Sequence, residues 1–245
     1  MNAMILAAGR GKRLMPLTKH IPKPLVRING KPILAHHLER LHRAGIVNVV
    51  INVSYLGHLI VEEFGYRYKD LNIFYSFEPS PPLETAGGIA FAKPLNLSSQ
   101  PFLVINADIL CDWPISRAFK ISSSKILDEK LAYLVLTKTS ALSGDFHLVG
   151  NTVFNNLNDH IGANNYKLTF AGIGIYRPDF FQNIKRGTSE KLRDILIPAV
   201  EKGLVMGELH QGIWEDIGTN GRLKNAKRKH ERKGGKALGL SLIHI

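Results

Sequence analysis

The chain has 245 residues, 44% of them hydrophobic and 8% aromatic, with a formal net charge of +12. That is enough apolar material for one large α/β domain or two small ones, and no apolar run reaches the ~18 residues that a membrane span needs. The single cysteine, Cys111, excludes an internal disulfide and suits a reducing compartment, so a cytoplasmic location and no membrane partner are expected. An apolar run begins at residue 4, and no secretory signal is expected ahead of it.

The charge is unevenly placed. From Arg222 onward eight basic residues stand against Glu231, a net +7, which leaves +5 for the rest of the chain. A mildly basic body with a basic end does not point to nucleic acid, and no nucleic-acid partner is expected. Residues 222–233 read as a solvated helix end. Residues 234–245 turn abruptly apolar and are assigned no function. The expected organisation is a domain over 1–230 and a disordered or non-native tail over 231–245.

In chain order, residues 4–8 (MILAA) form an apolar strand that Gly9 and Gly11 interrupt. The loop that follows carries Arg10, Lys12, Arg13, Lys19 and Lys23, with no carboxylate between Gly9 and Pro24. Glycines let backbone N–H groups approach phosphate oxygens and the cations neutralise them, so the loop suits a polyanion. Pro24 biases Lys23 toward extended geometry. The loop is neither a dinucleotide fingerprint nor a P-loop, because the third glycine and the Gly-Lys-Ser/Thr run are both missing.

Residues 25–28 and the Asn29-Gly30 turn lead to Pro32, which suits the first turn of a helix. Ile33, Leu34, His37, Leu38, Leu41 and Ala44 then recur at helical spacing up to Gly45. His36 and His37 face different ways on that helix and read as structural. A strand over 48–53, a helix over 58–64 and a strand over 72–77 follow. Pro79, Pro81 and Pro82 enforce an extended loop, and a helix capped by Thr85 runs to about residue 93. Residues 101–106 form a strand with Asp108 just beyond its end.

The second half reads as a helix over 112–124, a strand over 132–137, a hairpin over 146–154 and a strand over 168–176. Residues 155–165 read as a polar surface turn. Helices are expected over 178–184 and 192–202, a short strand over 206–209, and a last helix after 214–218. Strands alternating with helices imply a doubly wound, largely parallel sheet, with ligands beyond the carboxyl ends of the strands. The cationic loop and Asp108 both lie at such ends. Taken alone, Asp108 and Asp216 read equally well as capping or turn residues. No clustered His and Cys pattern is visible.

Three motifs carry more. Gly9, Gly11 and Arg13 in G-x-G-x-R, then Pro16-Leu17-Thr18, then Pro22-Lys23-Pro24, resemble the signature of the sugar-1-phosphate nucleotidyltransferases. Pro82-Leu83-Glu84-Thr85-Ala86-Gly87-Gly88 and Trp214-Glu215-Asp216-Ile217-Gly218-Thr219 agree with the same family, in the same order. The likeness runs from about residue 4 to residue 223. Within the family it is similar to the N-acetylmuramate-1-phosphate uridylyltransferases of cell-wall recycling. Arg27 stands where the family usually has Pro, Ala107 where Gly is common, and His147 where Arg is expected.

The resemblance implies a three-layer Rossmann-like (GT-A-like) α/β fold, with a mixed, mostly parallel sheet and helices on both faces. It implies Mg2+ held by Asp108 and Asp216, a hard cation that takes few carboxylates. Arg13, Lys23 and Asp108 are the implied catalytic residues. Leu6, Ala7 and Gly9 (through backbone groups), Gly11, Glu84, Thr85, Gly88 and Asn106 are the implied nucleotide contacts, with Gly87 and Gly88 admitting a flat ring or phosphate. Asp145, Gly172 and Asp216 belong to the implied sugar-phosphate side. The implied partners are a nucleoside triphosphate, UTP foremost, and N-acetylmuramate 1-phosphate, with the chain a monomer or weak homo-oligomer. Mannose or glucose 1-phosphate with GTP or another triphosphate is the alternative, as is a non-catalytic nucleotide-sugar sensor. In the implied reaction a sugar-phosphate oxygen attacks the α-phosphate and pyrophosphate leaves. A phosphate with a second pKa of about 6 is already ionised at neutral pH, so no general base is needed and positioning of anions is the task.

Overall fold

The computed structural model describes residues 1–93, 95, 97, 100–139, 144–156 and 167–232. Residues 157–165 of the expected surface turn, and the tail from 233 onward, lie outside the described residues. The first half contains β1 (Ala3–Leu6), β2 (Arg27–Ile28), β3 (Lys31–Pro32), α1 (Ile33–Arg43), β4 (Asn48–Val53), α2 (Gly57–Phe64), β5 (Arg67–Tyr68) and β6 (Leu71–Phe77). Next come α3 (Glu84–Ala92), β7 (Phe102–Asn106), β8 (Ile109–Cys111), α4 (Ser116–Ser123) and β9 (Ala132–Thr137). The rest is β10 (His147–Val149), β11 (Thr152–Phe154), β12 (Thr169–Tyr176), α5 (Leu192–Glu201), β13 (Val205–His210), β14 (Trp214–Asp216) and α6 (Asn220–Arg232).

Among the described residues ten strands make one sheet in the order β10-β11-β13-β9-β12-β7-β1-β4-β6-β5. β1 runs parallel to β4 and β7, β4 to β6, and β13 to β9, while β12 is antiparallel to both its neighbours. The expected mixed α/β sheet is borne out. Alternation along β1 explains the layers: Ala3 and Ile5 join one apolar cluster with Leu34, Leu38 and Ile60, whereas Met4 joins another with Ile89, Phe102 and Leu196. Thus α1, α2 and α4 cover one face, and α3 and α5 the other. Among the described residues no helix is long and apolar enough to cross a membrane.

Several local expectations are corrected. The helix after Asp112 starts only at Ser116. Residues 178–184 hold just a 3-10 turn, Pro178–Phe181, whose two buried phenylalanines pack against Tyr176. The α3 helix begins at Glu84 with no side-chain cap, so Thr85 lies inside the first turn and does not cap it. Residues 109–111, 67–68 and 214–216 are strands too short to show a period; β8 and β14 pair with each other in a small antiparallel ribbon outside the main sheet.

His36 and His37, the adjacent pair on α1, are both buried, as their structural reading requires. His36 Nε2 faces the carbonyl of Ile28 at 3.3 Å, and His37 Nε2–H donates to the carbonyl of Ala107 at 3.1 Å. Burial, with Arg40 adding repulsion, holds the His37 imidazole down to about 3, so it is neutral in the folded chain. The unfolded chain takes up a proton there near pH 6.5, and the folded one does not until about pH 3. The associated stability is complete above the unfolded value and is lost as pH falls from 6.5 toward 3. Denaturant unfolding against pH is expected to show a slope approaching about 1.4 kcal/mol per pH unit in that window, and His37→Gln is expected to flatten it.

Candidate active site

Leu6, the last residue of β1, sits opposite Asn52 on β4 and Asn106 on β7. The chain builds β4 and β6 on one side of β1, then returns to lay β7 on the other. A crevice opens outside the carboxyl ends of the strands at such a reversal. Here it is a cleft of about 560 Å³ whose lining includes residues 6–13, Lys23, Asn52, Glu78, Glu84, Thr85, Asn106, Asp108 and Gly218.

The cationic loop forms one rim. It winds through three 3-10 turns, and Lys23 opens the third of them, so its expected extended geometry gives way to a turn closed by Leu25 N–H and Val26 N–H. Gly11 lies at φ +64°, where a side chain is strained, and a Cβ there would meet Thr18 Cγ2 at 3.0 Å and Lys23 Cβ at 3.3 Å. Thr18 Oγ1 donates back to the Gly11 carbonyl at 2.9 Å. Leu14 anchors the loop. It is fully buried with Val26, Ile28, Ile33, Leu110, Ile217, Leu223 and Ala226, a third apolar cluster that joins the loop to β8, β14 and α6. Outside, the Arg10 guanidinium lies over the Tyr55 ring at 5.0 Å, and Tyr55 Oη donates to the Lys19 carbonyl at 2.8 Å.

The β8–β14 ribbon brings the acids together. Ile217 N–H donates to the Asp108 carbonyl at 2.8 Å, and Asp216 stands opposite Ile109. Lys23 forms an ion pair with Asp108, and Arg222 forms one with Asp216. Gly218 lies between Asp216 and Arg13: a Cβ at that glycine would come within 2.8 Å of Asp216 Oδ1 and 3.0 Å of Arg13 Nη2. Arg13, Lys23 and Asp108, spread over the first half of the chain, therefore line the cleft together with Gly218, and Asp216, not itself among the lining residues, stands just behind Gly218 beside Arg13.

The floor is a relay of hydrogen bonds built on one amide and one carboxylate. Asn52 Oδ1 accepts from Ala7 N–H at 2.7 Å, Asn52 Nδ2 donates to Glu78 Oε1 at 2.6 Å, and Glu78 Oε2 accepts from Leu83 N–H at 2.8 Å. Both side chains are buried. The only hint in the sequence is an amide inside the apolar stretch VVINV and a carboxylate just before Pro79. This relay alters several expected contacts. Ala7 N–H is committed to Asn52, and the Leu6 carbonyl accepts from Ala107 N–H at 3.0 Å, while both residues line the cleft. A Cβ at Gly88 would lie 2.4 Å from Glu78 Oε1, and one at Gly87 would lie 2.3 Å from the Thr188 carbonyl. The groups packed against these two glycines are protein groups, and Gly88 is not among the lining residues. Glu84, at φ +59°, does line the cleft, in a conformation costing roughly 1 kcal/mol or more.

The structure does not bring Asp145 or Gly172 to the lining. Asp145 Oδ2 accepts from Phe170 N–H at 2.9 Å, and Gly172, at φ +72°, leaves room for Asn106, whose Nδ2 would be 2.8 Å from a Cβ. Arg27 pairs with Glu63 at 3.0 Å away from the cleft. Burial, with Lys167 adding repulsion, holds His147 below the ordinary imidazole range, so it offers no cation at neutral pH.

The nucleotidyl transferase family profile matches residues 2–144. The chain belongs to that family. It is 44% identical to the N-acetylmuramate alpha-1-phosphate uridylyltransferase of Neisseria meningitidis serogroup B over 93% of this chain and 97% of that one. It is 31% identical to the mannose-1-phosphate guanyltransferase beta-A of Xenopus laevis over 89% of this chain, and spans 61% of that longer protein. A UDP-glucose pyrophosphorylase from Acinetobacter baumanii shares the fold, with a TM-score of 0.78 and 16% identity over 96% of this chain and 95% of that one. The likeness drawn from the three motifs is borne out, and the chain is a nucleotidyltransferase.

Removing Asn52 from the floor strands the Ala7 N–H and one Glu78 oxygen, at roughly 1–3 kcal/mol for each buried group left unpaired. Asn52→Leu is expected to lower the free energy of unfolding by about that much, measured by denaturant titration.

Proposed function

We propose that this cleft transfers the uridylyl group of UTP to N-acetylmuramate 1-phosphate, releasing pyrophosphate and UDP-N-acetylmuramate, as a step in cell-wall recycling. The observation that carries the reading is that Arg13, Lys23 and Asp108 line one cleft with Asp216 next to Arg13 behind Gly218, in a chain 44% identical to a uridylyltransferase of that specificity. The triphosphate brings its charge to the rim formed by Arg10, Lys12 and Arg13. Arg13 grips the phosphates that leave as pyrophosphate. Lys23 contacts both the α-phosphate and the incoming sugar phosphate, offsetting the repulsion between two anions that must meet in line. The N–H groups of Gly9 and Gly11 donate to phosphate oxygens. Asp145 and Gly172 act on the sugar side through β12, the first by tethering Phe170 and the second by packing on Asn106.

Asp108 and Asp216 would hold a divalent cation. Each already faces a cationic side chain, Lys23 and Arg222 respectively, so the corner is built to balance positive charge. Two carboxylates without a nitrogen or sulfur donor suit a hard ion such as Mg2+. When bound, that ion supplies charge neutralisation on the phosphates.

Lys23→Ala and Asp108→Ala are each expected to cut turnover roughly 100-fold or more, followed by pyrophosphate release, with far-ultraviolet circular dichroism unchanged. Near-wild-type rates in either variant would remove that residue's role. Asp216→Asn is expected to raise the Mg2+ concentration needed for half-maximal rate; an unchanged titration counts against its place at the metal. A panel crossing UTP and GTP with N-acetylmuramate, mannose and glucose 1-phosphates is expected to favour UTP with N-acetylmuramate 1-phosphate. A guanylyl product from mannose 1-phosphate would move the chain to the other branch.

A further inference from the structure

Cys111 closes β8, Asp112 follows it, and His210 closes β13, 98 residues after Asp112. One sulfur, one carboxylate oxygen and one ring nitrogen of these three residues lie within 4.8 Å of one another, apart from the lining of the cleft. We propose that Cys111, Asp112 and His210 bind a zinc-class divalent ion, at a site separate from the pair of aspartates in the cleft.

The donor set makes the choice of ion. Sulfur and imidazole select zinc or its relatives over magnesium, and three protein ligands leave a fourth position for water. His210 Nε2 lies 2.8 Å from Asp112 Oδ1 and 3.4 Å from the Ile213 carbonyl, both acceptors, so this nitrogen carries a proton between them. A metal ion at Nε2 takes the place of that proton, which moves to Nδ1 and leaves the imidazole neutral. With metal–ligand bonds of about 2.0–2.3 Å, tetrahedral ligands stand roughly 3.3–3.8 Å apart. The imidazole and carboxylate must open by about half an ångström and the sulfur must close in, which side-chain rotation supplies.

The surroundings agree. A Cβ at Gly212 would come 2.3 Å from Asp112 Oδ1 and 2.7 Å from His210 Cε1, so a glycine there keeps room for both ligands. Trp113 N–H donates to Cys111 Sγ at 3.4 Å, the kind of outer contact that steadies a thiolate. Arg40, which donates to the Trp113 carbonyl at 2.6 Å, adds a positive charge near the sulfur. Thiolate and carboxylate together balance the dication, leaving the Arg40 charge as it is. Burial pushes the Cys111 thiol up to about 11, so metal entry at neutral pH must release its proton and binding must strengthen as pH rises. Asp112 is the exposed side of the cluster, with 31% of its side chain accessible, and gives the way in. Cys111 pairs with Trp214 in the ribbon that also carries Asp216, so a bound ion would staple the end of β13 to the support of both cleft aspartates.

The test is a cobalt titration of the chelator-treated full chain in excess Mg2+, which keeps the cleft aspartates supplied. A single equivalent is expected to give a near-ultraviolet thiolate-to-cobalt band and tetrahedral visible bands. The thiolate band is expected to vanish in Cys111→Ser and to stay in Asp216→Asn. Binding is expected to weaken in His210→Gln and Asp112→Asn by more than the roughly 10–100-fold that outer-shell partners are worth. Circular dichroism of each variant checks its fold, and should Cys111→Ser not fold, the His210 and Asp112 variants decide alone. The absence of a thiolate band in the wild type, or a band unchanged in both His210→Gln and Asp112→Asn, overturns the site. Neither result bears on sugar-nucleotide formation, which the pyrophosphate assay reads independently.

Discussion

Lys23 and Asp108 are 85 residues apart and meet in a part-buried ion pair, with 12% and 29% of their side chains exposed. The contact fixes where the cationic loop lies over the sheet. Five cations without an intervening carboxylate repel one another, and a loop so composed has no reason of its own to stay near the strand ends. Asp108 supplies the opposing charge, and Leu14 supplies an apolar anchor beneath it. The two act at opposite ends of the loop, Leu14 in its first 3-10 turn and Lys23 in its third. Loss of one charge of such a pair leaves the other partly desolvated, which is why the arrangement is sensitive to either partner.

The cleft separates two physical tasks. Its rim is flexible-chain cation, suited to charge that arrives and leaves. Its floor is a rigid chain of neutral and charged hydrogen bonds, Ala7 to Asn52 to Glu78 to Leu83, that ties β1, β4 and the entrance of α3 together. Ala86 and Gly87 N–H groups, at the start of α3, are taken by the Glu190 carbonyl at 2.9 and 3.0 Å. His37 steadies the opposite wall through the carbonyl just before Asp108. Preorganisation of this kind lets binding energy go into aligning two anions, with little spent on ordering the protein.

Much of this was legible from residues alone, for identifiable reasons. The loop from Gly9 to Pro24 and the acid of the Trp214–Thr219 segment are dense in unusual residues at fixed spacing, so they stand out against a background of ordinary strands and helices. The long strands and α1 show clear periods. What escaped notice was short or solitary. Asn52 is a single amide in a strand, Glu78 a single acid before a proline, and β8 and β14 are three residues each. Gly87 and Gly88 were legible as close-approach glycines, but the approaching group turned out to be Thr188 and Glu78.

By itself the sequence determined the order of the longer strands and helices, the cationic, carboxylate-free character of the opening loop, and the family, because these depend on local periodicity, charge and spacing. Tertiary structure alone decided that β1 lies between β4 and β7, that the β8–β14 ribbon sets Asp216 beside Asp108, and that Ala7 N–H belongs to Asn52. It also decided that Cys111, Asp112 and His210 meet. The physical reason is the same in each case: these are partnerships between groups far apart along the chain, and which donor reaches which acceptor is set only when the sheet order brings them within hydrogen-bonding distance.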